Sequence, residues 1–200
     1  MLWRENDHIQ KNKQLFNKKE AIIMLKGRRV ILRPIKRSDL KLFLKWFNDL
    51  EVIRNLIRYL PTTERSGEKW IEDIMREQRP VFIIEAILAG GKRKAIGDCG
   101  LYQIERKDRV ATLGISIGEK KFWGKGCGTE AVKLLIDYGF RFLNLHKIES
   151  ESWMFNKRSI KMHKRLGFVV EGRRREKKYM EGKYQDSMMF GLLKDEWSPQ

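Results

Sequence analysis

Cysteine is scarce in this chain. Its two thiols, Cys99 and Cys127, lie far apart and outside any metal-type spacing. That argues against a disulfide framework and a metal site, and makes a reducing cytoplasm the default expectation. Long apolar runs are also missing, so no stretch approaches the roughly 20 residues of a membrane-spanning helix. The first twenty residues are charged and lack an apolar centre, which predicts neither a secretory leader nor a membrane partner. No internal repeat is present. Two phosphate-binding signatures are absent as well. No Gly-Lys-Ser/Thr closes a Walker loop, and no dinucleotide fingerprint follows a first strand.

Positive charge is abundant. With 43 basic and 26 acidic residues in 200, the chain carries a net charge of +17. Such a balance favours polyanionic partners: a phosphorylated cofactor, nucleic acid or a ribosomal surface. The basic residues are spread along the whole chain, which weakens a dedicated nucleic-acid reading. Hydrophobic content of 42% suits one domain with a substantial core. Residues 1–26, rich in Lys, Asn and Gln, read as a basic extension. Residues 27–197 read as the domain itself.

The stretch Phe122-Trp123-Gly124-Lys125-Gly126-Cys127-Gly128-Thr129 organises the rest. Glycine tolerates positive φ and lets a ligand approach the backbone. An apolar helix follows at once over Thr129 to Leu143, and a helix start offers unpaired N–H groups and a positive dipole end. Loop and helix together form an anion cradle suited to a phosphate or pyrophosphate. A tight turn without a ligand would also fit these glycines.

Periodicity places the other elements. Strands are expected at Arg28–Ile35, Val81–Leu88, Ala95–Ile104, Val110–Ile117, Lys147–Met154, Phe168–Glu171 and Gln185–Leu193. Helices are expected from Ser38 or Asp39, continuing in the spacing Ile53, Leu56, Ile57, Leu60, then from the Thr63 cap through Gln78, and over Ser159–Leu166. Gly114 inside its strand hints at a bulge or a close backbone approach. The charged tract Arg173–Lys178 falls between two strands, and Glu181-Gly182 reads as a hairpin turn. The element order defines an α+β, or mixed α/β, domain.

Four segments then carry a resemblance. They are Leu32-Arg33-Pro34-Ile35 with Ser38-Asp39-Leu40, the strand Leu113–Gly118 running into the glycine loop, Asn156 through Phe168, and Gly182 through Ser187. In this order they resemble the GNAT superfamily of acetyl-CoA-dependent N-acetyltransferases, closest to the subgroup of ribosomal-protein N-terminal, spermidine and amino-sugar acetyltransferases. The resemblance covers about residues 28 to 195. It implies a single GNAT-like domain with a central, mostly antiparallel mixed sheet, splayed at the cofactor site and flanked by helices. It also implies acetyl-CoA as cosubstrate, without a metal. Gly124, Lys125, Gly126, Cys127, Gly128 and Thr129 would bind the pyrophosphate through backbone N–H groups. Ile115 and Ile117 match the strand that pairs with the pantetheine arm, and Asn156 matches a residue that contacts it. A helix-start role for Asn156 is an equal alternative. Cys127 reads as a small residue lending its N–H, with a reactive thiol as the minor option.

Many members place a tyrosine as general acid where this chain has His163. A histidine can protonate or hydrogen-bond a thiolate, though a packing role is the preferred reading. A carboxylate could take the amine proton, directly or through water. Glu85, Asp98, Glu149 and Glu151 lie on expected strands, with Glu149 and Glu151 on one face. Thr112 stands where relatives often carry Glu.

The expected activity is acetyl transfer to a primary amine by direct attack in a ternary complex. The acceptor would be a small molecule or a peptide N-terminus. The strong positive charge disfavours polycations such as spermidine and suits nucleotide-linked sugars or ribosome-associated proteins. The competing reading is a basic RNA- or ribosome-binding module on a degenerate acyltransferase scaffold, supported by the charge, the basic extension and Arg173-Arg174-Arg175. A monomer or homodimer is expected.

Overall fold

The computed structural model describes residues 25–56 and 58–198. The basic extension as far as Met24, and Ile57, lie outside the described residues. The strands are β1 Leu25–Lys26, β2 Val30–Pro34, β3 Val81–Ile87, β4 Arg93–Glu105, β5 Val110–Ile117, β6 Lys147–Trp153, β7 Val169–Met180 and β8 Lys183–Leu193. They form one eight-stranded sheet in the order β1-β2-β3-β4-β5-β6-β8-β7. Every neighbouring pair is antiparallel except β5 and β6, which run parallel. The α-helices are α1 Leu40–Phe47, α2 Leu50–Ile53, α3 Glu64–Arg76, α4 Cys127–Arg141 and α5 Lys157–Arg165.

Two apolar clusters sandwich the sheet. On one face α4 and the end of α5 pack with Phe82, Ile84, Leu101, Leu113, Ile148 and Phe190. On the other, Phe43, Trp46 and Phe47 of α1 and Ile71 and Ile74 of α3 pack on Val81 and Ile83. Strand β3 feeds both clusters, which is why it reads as a continuous apolar run rather than an alternating one. The second cluster includes nothing from β5 to β8 among the described residues. That face of the sheet is therefore left open to a cleft.

Local chemistry sets the ends. Thr63 Oγ1 accepts from Ser66 N at 3.2 Å and caps α3. Gly167, at φ +86°, closes α5 in the left-handed conformation. Glu181 and Gly182 both take positive φ at the β7–β8 turn, which matches the twist of the hairpin. Gly114 does mark a close approach, because a Cβ there would lie 2.9 Å from the Tyr102 ring.

Two local expectations are corrected. The helical spacing from Ile53 to Leu60 does not continue as helix. Helix α2 ends at Ile53, and the Leu56 carbonyl instead accepts from Trp153 Nε1 at 3.3 Å and Lys178 Nζ at 2.7 Å. Tertiary partners outweigh the local pattern. The charged tract Arg173–Lys178 is itself strand, the middle of β7. An edge strand with much of its length in solvent has no need of apolar alternation, and register shifts after Val170 and Arg174 blur the pattern further.

Candidate active site

The parallel pair is short. β5 and β6 are in register only at Val110–Lys147, Ala111–Ile148 and Thr112–Glu149. Beyond that point the strands diverge, with β5 running on to Ile117 and β6 to Trp153. The result is a fork in the middle of the sheet. A cleft of about 1290 Å³ passes through it, lined by β5 from Thr112 to Ile117 and by β6 from Glu149 to Trp153.

On the α4 and α5 side the fork is roofed by main chain. Gly126, at φ +81°, is the N-cap of α4 and supplies no side-chain cap. The helix ladder begins with Glu130 N donating to the Gly126 carbonyl at 3.0 Å. The N–H groups of Cys127, Gly128 and Thr129 therefore precede the ladder and face outward from the helix start. Gly124 is also left-handed, at φ +73°. Trp123 Nε1 donates to the Ile117 carbonyl at 2.6 Å and ties the loop back to β5. Ile115 and Ile117 direct their side chains toward α4, where both would meet a Cβ on Gly128 at 3.6 Å. Cys127 is buried, and burial raises its thiol pKa above the ordinary value, with Glu130 adding to the effect. A protonated, buried thiol fits the backbone-donor reading better than the reactive one.

Asn156 is the N-cap of α5: its Oδ1 accepts from Ser159 N at 3.1 Å, and it also lines the cleft. The two expected roles are thus compatible. His163 is 1% exposed and stacks on Phe190 at 4.5 Å. Its Nδ1 is 2.8 Å from the Ser159 carbonyl, which can only accept, so Nδ1 carries the proton. Burial lowers its pKa and favours the neutral ring, whose Nε2 accepts from Ser150 Oγ at 2.8 Å. His163 therefore ties α5 to β6 at the fork. Ser152 Oγ, two residues on, is buried with no hydrogen-bond partner among the described residues.

The opposite face differs. Glu149 and Glu151 share it, as expected, and both are paired. Lys147 Nζ bridges Glu149 and Glu171, each at 2.9 Å. Arg174 Nη1 lies 3.2 Å from Glu151, which also accepts from Ser187 Oγ. Glu85 is held by Arg33 at 2.7 Å. Asp98 accepts from Ser116 Oγ at 2.5 Å. Burial lifts its pKa from 3.8 to about 6, against the opposing pull of Ser116 and Arg58. The four carboxylates that line the cleft (Asp98, Glu149, Glu151 and Glu171) are on this side, with Arg58 and Arg174 among them, whereas the charged groups that α5 offers at the other end, Arg158, Lys161 and Arg165, are all cations. Composition gave no hint of that segregation. Arg29, whose Nη1 donates to the Lys125 carbonyl at 3.1 Å, and Arg158, 4.7 Å over the Trp123 ring, also escaped sequence reasoning. Nothing in their local sequence marks them.

The splayed parallel pair and the glycine-rich helix start are the features that the GNAT resemblance implied for the fold. The profile of the Acetyltransferase (GNAT) domain matches residues 29–169, and the chain belongs to that family. The uncharacterized N-acetyltransferase p20 of Bacillus licheniformis is 32% identical over 173 residues, covering 85% of this chain and 96% of that protein. Spermidine N(1)-acetyltransferase of Escherichia coli K12 is 30% identical over 172 residues, covering 84% and 88%. Spermidine N-acetyltransferase from Vibrio cholerae, crystallised with CoA and spermine, superposes with a TM-score of 0.78 over 85% of this chain and 98% of that one. At 24% identity, that likeness concerns the fold. The protein is an acetyl-CoA-dependent acyltransferase, as the resemblance implied.

The residues present suit coenzyme A. A helix start without a side-chain cap, a strand edge freed from its neighbour, and the unpartnered Ser152 hydroxyl all offer polar groups to a phosphorylated, amide-bearing chain. Among the described residues no group of three His, Cys, Asp or Glu could hold a metal ion.

Proposed function

We propose that the protein transfers an acetyl group from acetyl-CoA to the primary amine of a small molecule or peptide, the two substrates meeting in the fork from opposite faces. The observation that carries this reading is the end of the β5–β6 ladder after Thr112–Glu149, which joins a basic, helix-start mouth to a carboxylate-lined one. The N–H groups of Gly124 and of residues 126–129 hold the diphosphate, with the Lys125 N–H turned to the Phe122 carbonyl at 3.4 Å. The freed backbone of Ile115, the Ile117 N–H, the Ser152 hydroxyl and the Asn156 side chain hold the amide-bearing arm, the Ile117 carbonyl being taken by Trp123. Acetyl-CoA supplies an acyl thioester, electrophilic at its carbonyl carbon. His163 acts as a positioning residue, fixing Ser150 and hence the β6 arm.

The acceptor mouth combines carboxylates with the Phe47 and Trp70 rings, whose faces Arg58 covers, so the carboxylates rather than the rings would receive a protonated amine. The net charge of +17 opposes long-range attraction of polycations. The intact helix start weighs against the RNA-binding module, and so does the engagement of Arg173 by Asp186 and of Arg174 by Glu151.

Thiol release from acetyl-CoA, measured with spermidine, glucosamine and a Ser-Ala dipeptide amide, tests the reading. Turnover with glucosamine or the dipeptide above that with spermidine is expected. A marked spermidine preference would overturn the charge argument alone. Absence of turnover together with absence of acetyl-CoA binding by calorimetry would overturn the function.

A further inference from the structure

Of the four strand carboxylates considered as bases, three are held by cations. Arg33 holds Glu85, Lys147 holds Glu149, and Arg174 holds Glu151. Those cations, with Ser187 Oγ on Glu151, occupy carboxylate oxygens that an incoming ammonium would need. Asp98 differs. A bulge puts it where it is: Ile96 has no partner in the β3–β4 register, and the side-chain alternation resets there. Ile96 and Cys99 consequently join the α4 cluster, while Ala95 and Tyr102 face α1 and α3. By the two-residue period Asp98 shares the Tyr102 face, with Ser116 opposite it on the arm of β5 beyond the fork. Asp98 is 5% exposed and lines the cleft with Tyr102, Arg58, Phe47 and Trp70.

Resting on the acetyltransferase reading, we propose that Asp98 is the catalytic base that takes the proton from the acceptor's ammonium group. One proton passes from R–NH3+ to the Asp98 carboxylate and then to solvent through the cleft. The neutral nitrogen forms its bond to the acyl carbon as the carbon–sulfur bond breaks and the electron pair leaves with sulfur. The second amine proton ends on that sulfur. The groups facing Asp98 set its basicity in opposed directions. Burial favours the acid, while the Ser116 hydroxyl and the Arg58 guanidinium favour the carboxylate. Arg58 lies 4.5 Å over the Phe47 ring, at cation–π distance, on the wall of the same cleft. Near neutrality this balance leaves a base able to accept a proton and to release it again.

The experiment is the pH profile of kcat/KM for wild type, Asp98→Asn, Ser116→Ala and Arg58→Gln, with the three amines named above. Calorimetry of acetyl-CoA binding accompanies each variant. The wild-type profile should rise through an acid limb near 6. Asp98→Asn should lower kcat/KM by roughly 100- to 10,000-fold and abolish that limb, with the acetyl-CoA Kd unchanged. Ser116→Ala and Arg58→Gln should each move the limb to higher pH, which a purely structural role would not do. Wild-type turnover that persists with its acid limb in Asp98→Asn would overturn the proposal while leaving the acetyltransferase reading intact. A limb unmoved in both Ser116→Ala and Arg58→Gln would also overturn it. Absence of turnover in the wild type together with absence of acetyl-CoA binding would overturn the reading of function and this inference with it.

Discussion

The two mouths of the cleft are built by different means. The carrier mouth is nearly contiguous in sequence: residues 122–129 supply the loop, the helix start and the indole that ties the loop to β5. The acceptor mouth is assembled from distant pieces. Asp98 comes from β4, Ser116 from β5, Glu151 from β6, and Arg58 from the segment between α2 and α3. The β7–β8 hairpin adds a clasp, with Lys178 donating to the Leu56 carbonyl and Arg54 meeting Glu181 at 3.1 Å. A main-chain cradle recognises a group common to many reactions and tolerates few changes. A side-chain cleft can be altered piecemeal, and on the proposed reading it is where the acceptor would be chosen.

The sharpest contrast is in stability. The acceptor mouth holds a buried carboxylate, and the carrier mouth holds none. The folded pKa of Asp98 is raised from 3.8 to about 6. Its contribution to stability is therefore full below about pH 4 and is lost as the pH rises through 6. A shift of about two units corresponds to about 3 kcal/mol. Asp98→Asn is expected to be more stable than wild type at pH 8 by up to that amount, with the gap closing below pH 4. Thermal melts across pH check this, and equal stability at pH 8 would break the contrast.

At the carrier mouth the expected damage is to affinity. Gly126→Val puts a β-branched residue at φ +81°, with its Cβ 2.5 Å from Arg29 Nη1. The strain, roughly 1–3 kcal/mol, displaces the helix start. Acetyl-CoA should bind about 10- to 100-fold more weakly by calorimetry. Unchanged affinity would separate the loop from the carrier.

His163 lies between the two. His163→Phe retains an aromatic ring against Phe190 but removes the contacts to Ser159 and Ser150. Denaturant melts should show a loss of about 1–3 kcal/mol. Turnover should fall less than about 10-fold, because a positioning residue carries no proton in the reaction. A much larger fall in turnover without loss of stability would restore His163 as the general acid.

The smallest effect is expected at the clasp. Burial lowers the Lys178 pKa, and its Nζ is 4.8 Å from the Trp153 ring centre. Lys178→Met keeps the apolar stem and removes the donor. The acceptor KM should rise about 3- to 10-fold, equivalent to about 1 kcal/mol, with acetyl-CoA affinity unchanged. A matching loss on the carrier side would show that the mouths are not independent.

What could be read from sequence follows the same division. Glycine spacing and an apolar helix located the left-handed loop and the uncapped helix start because backbone conformation is a local property. The splay of β5 from β6 entered only through resemblance, since no residue on either strand announces where pairing stops. The acceptor mouth was legible only as a set of candidate acids. Whether Glu149 or Asp98 is paired depends on Lys147 and Ser116, and on a bulge at Ile96 that β4's own pattern does not reveal. Asn156 and Gly167 were readable because caps are local; Arg29 and Arg158 were not, because their value lies in what the fold brings beside them.

A crystal structure of the protein grown with coenzyme A tests the central claim most directly. The account predicts diphosphate oxygens within hydrogen-bond distance of the N–H groups of Gly124 and of residues 126–129, and the thiol end between β5 and β6 beyond Thr112. Coenzyme A bound elsewhere, with β5 and β6 paired along their full length, would contradict it.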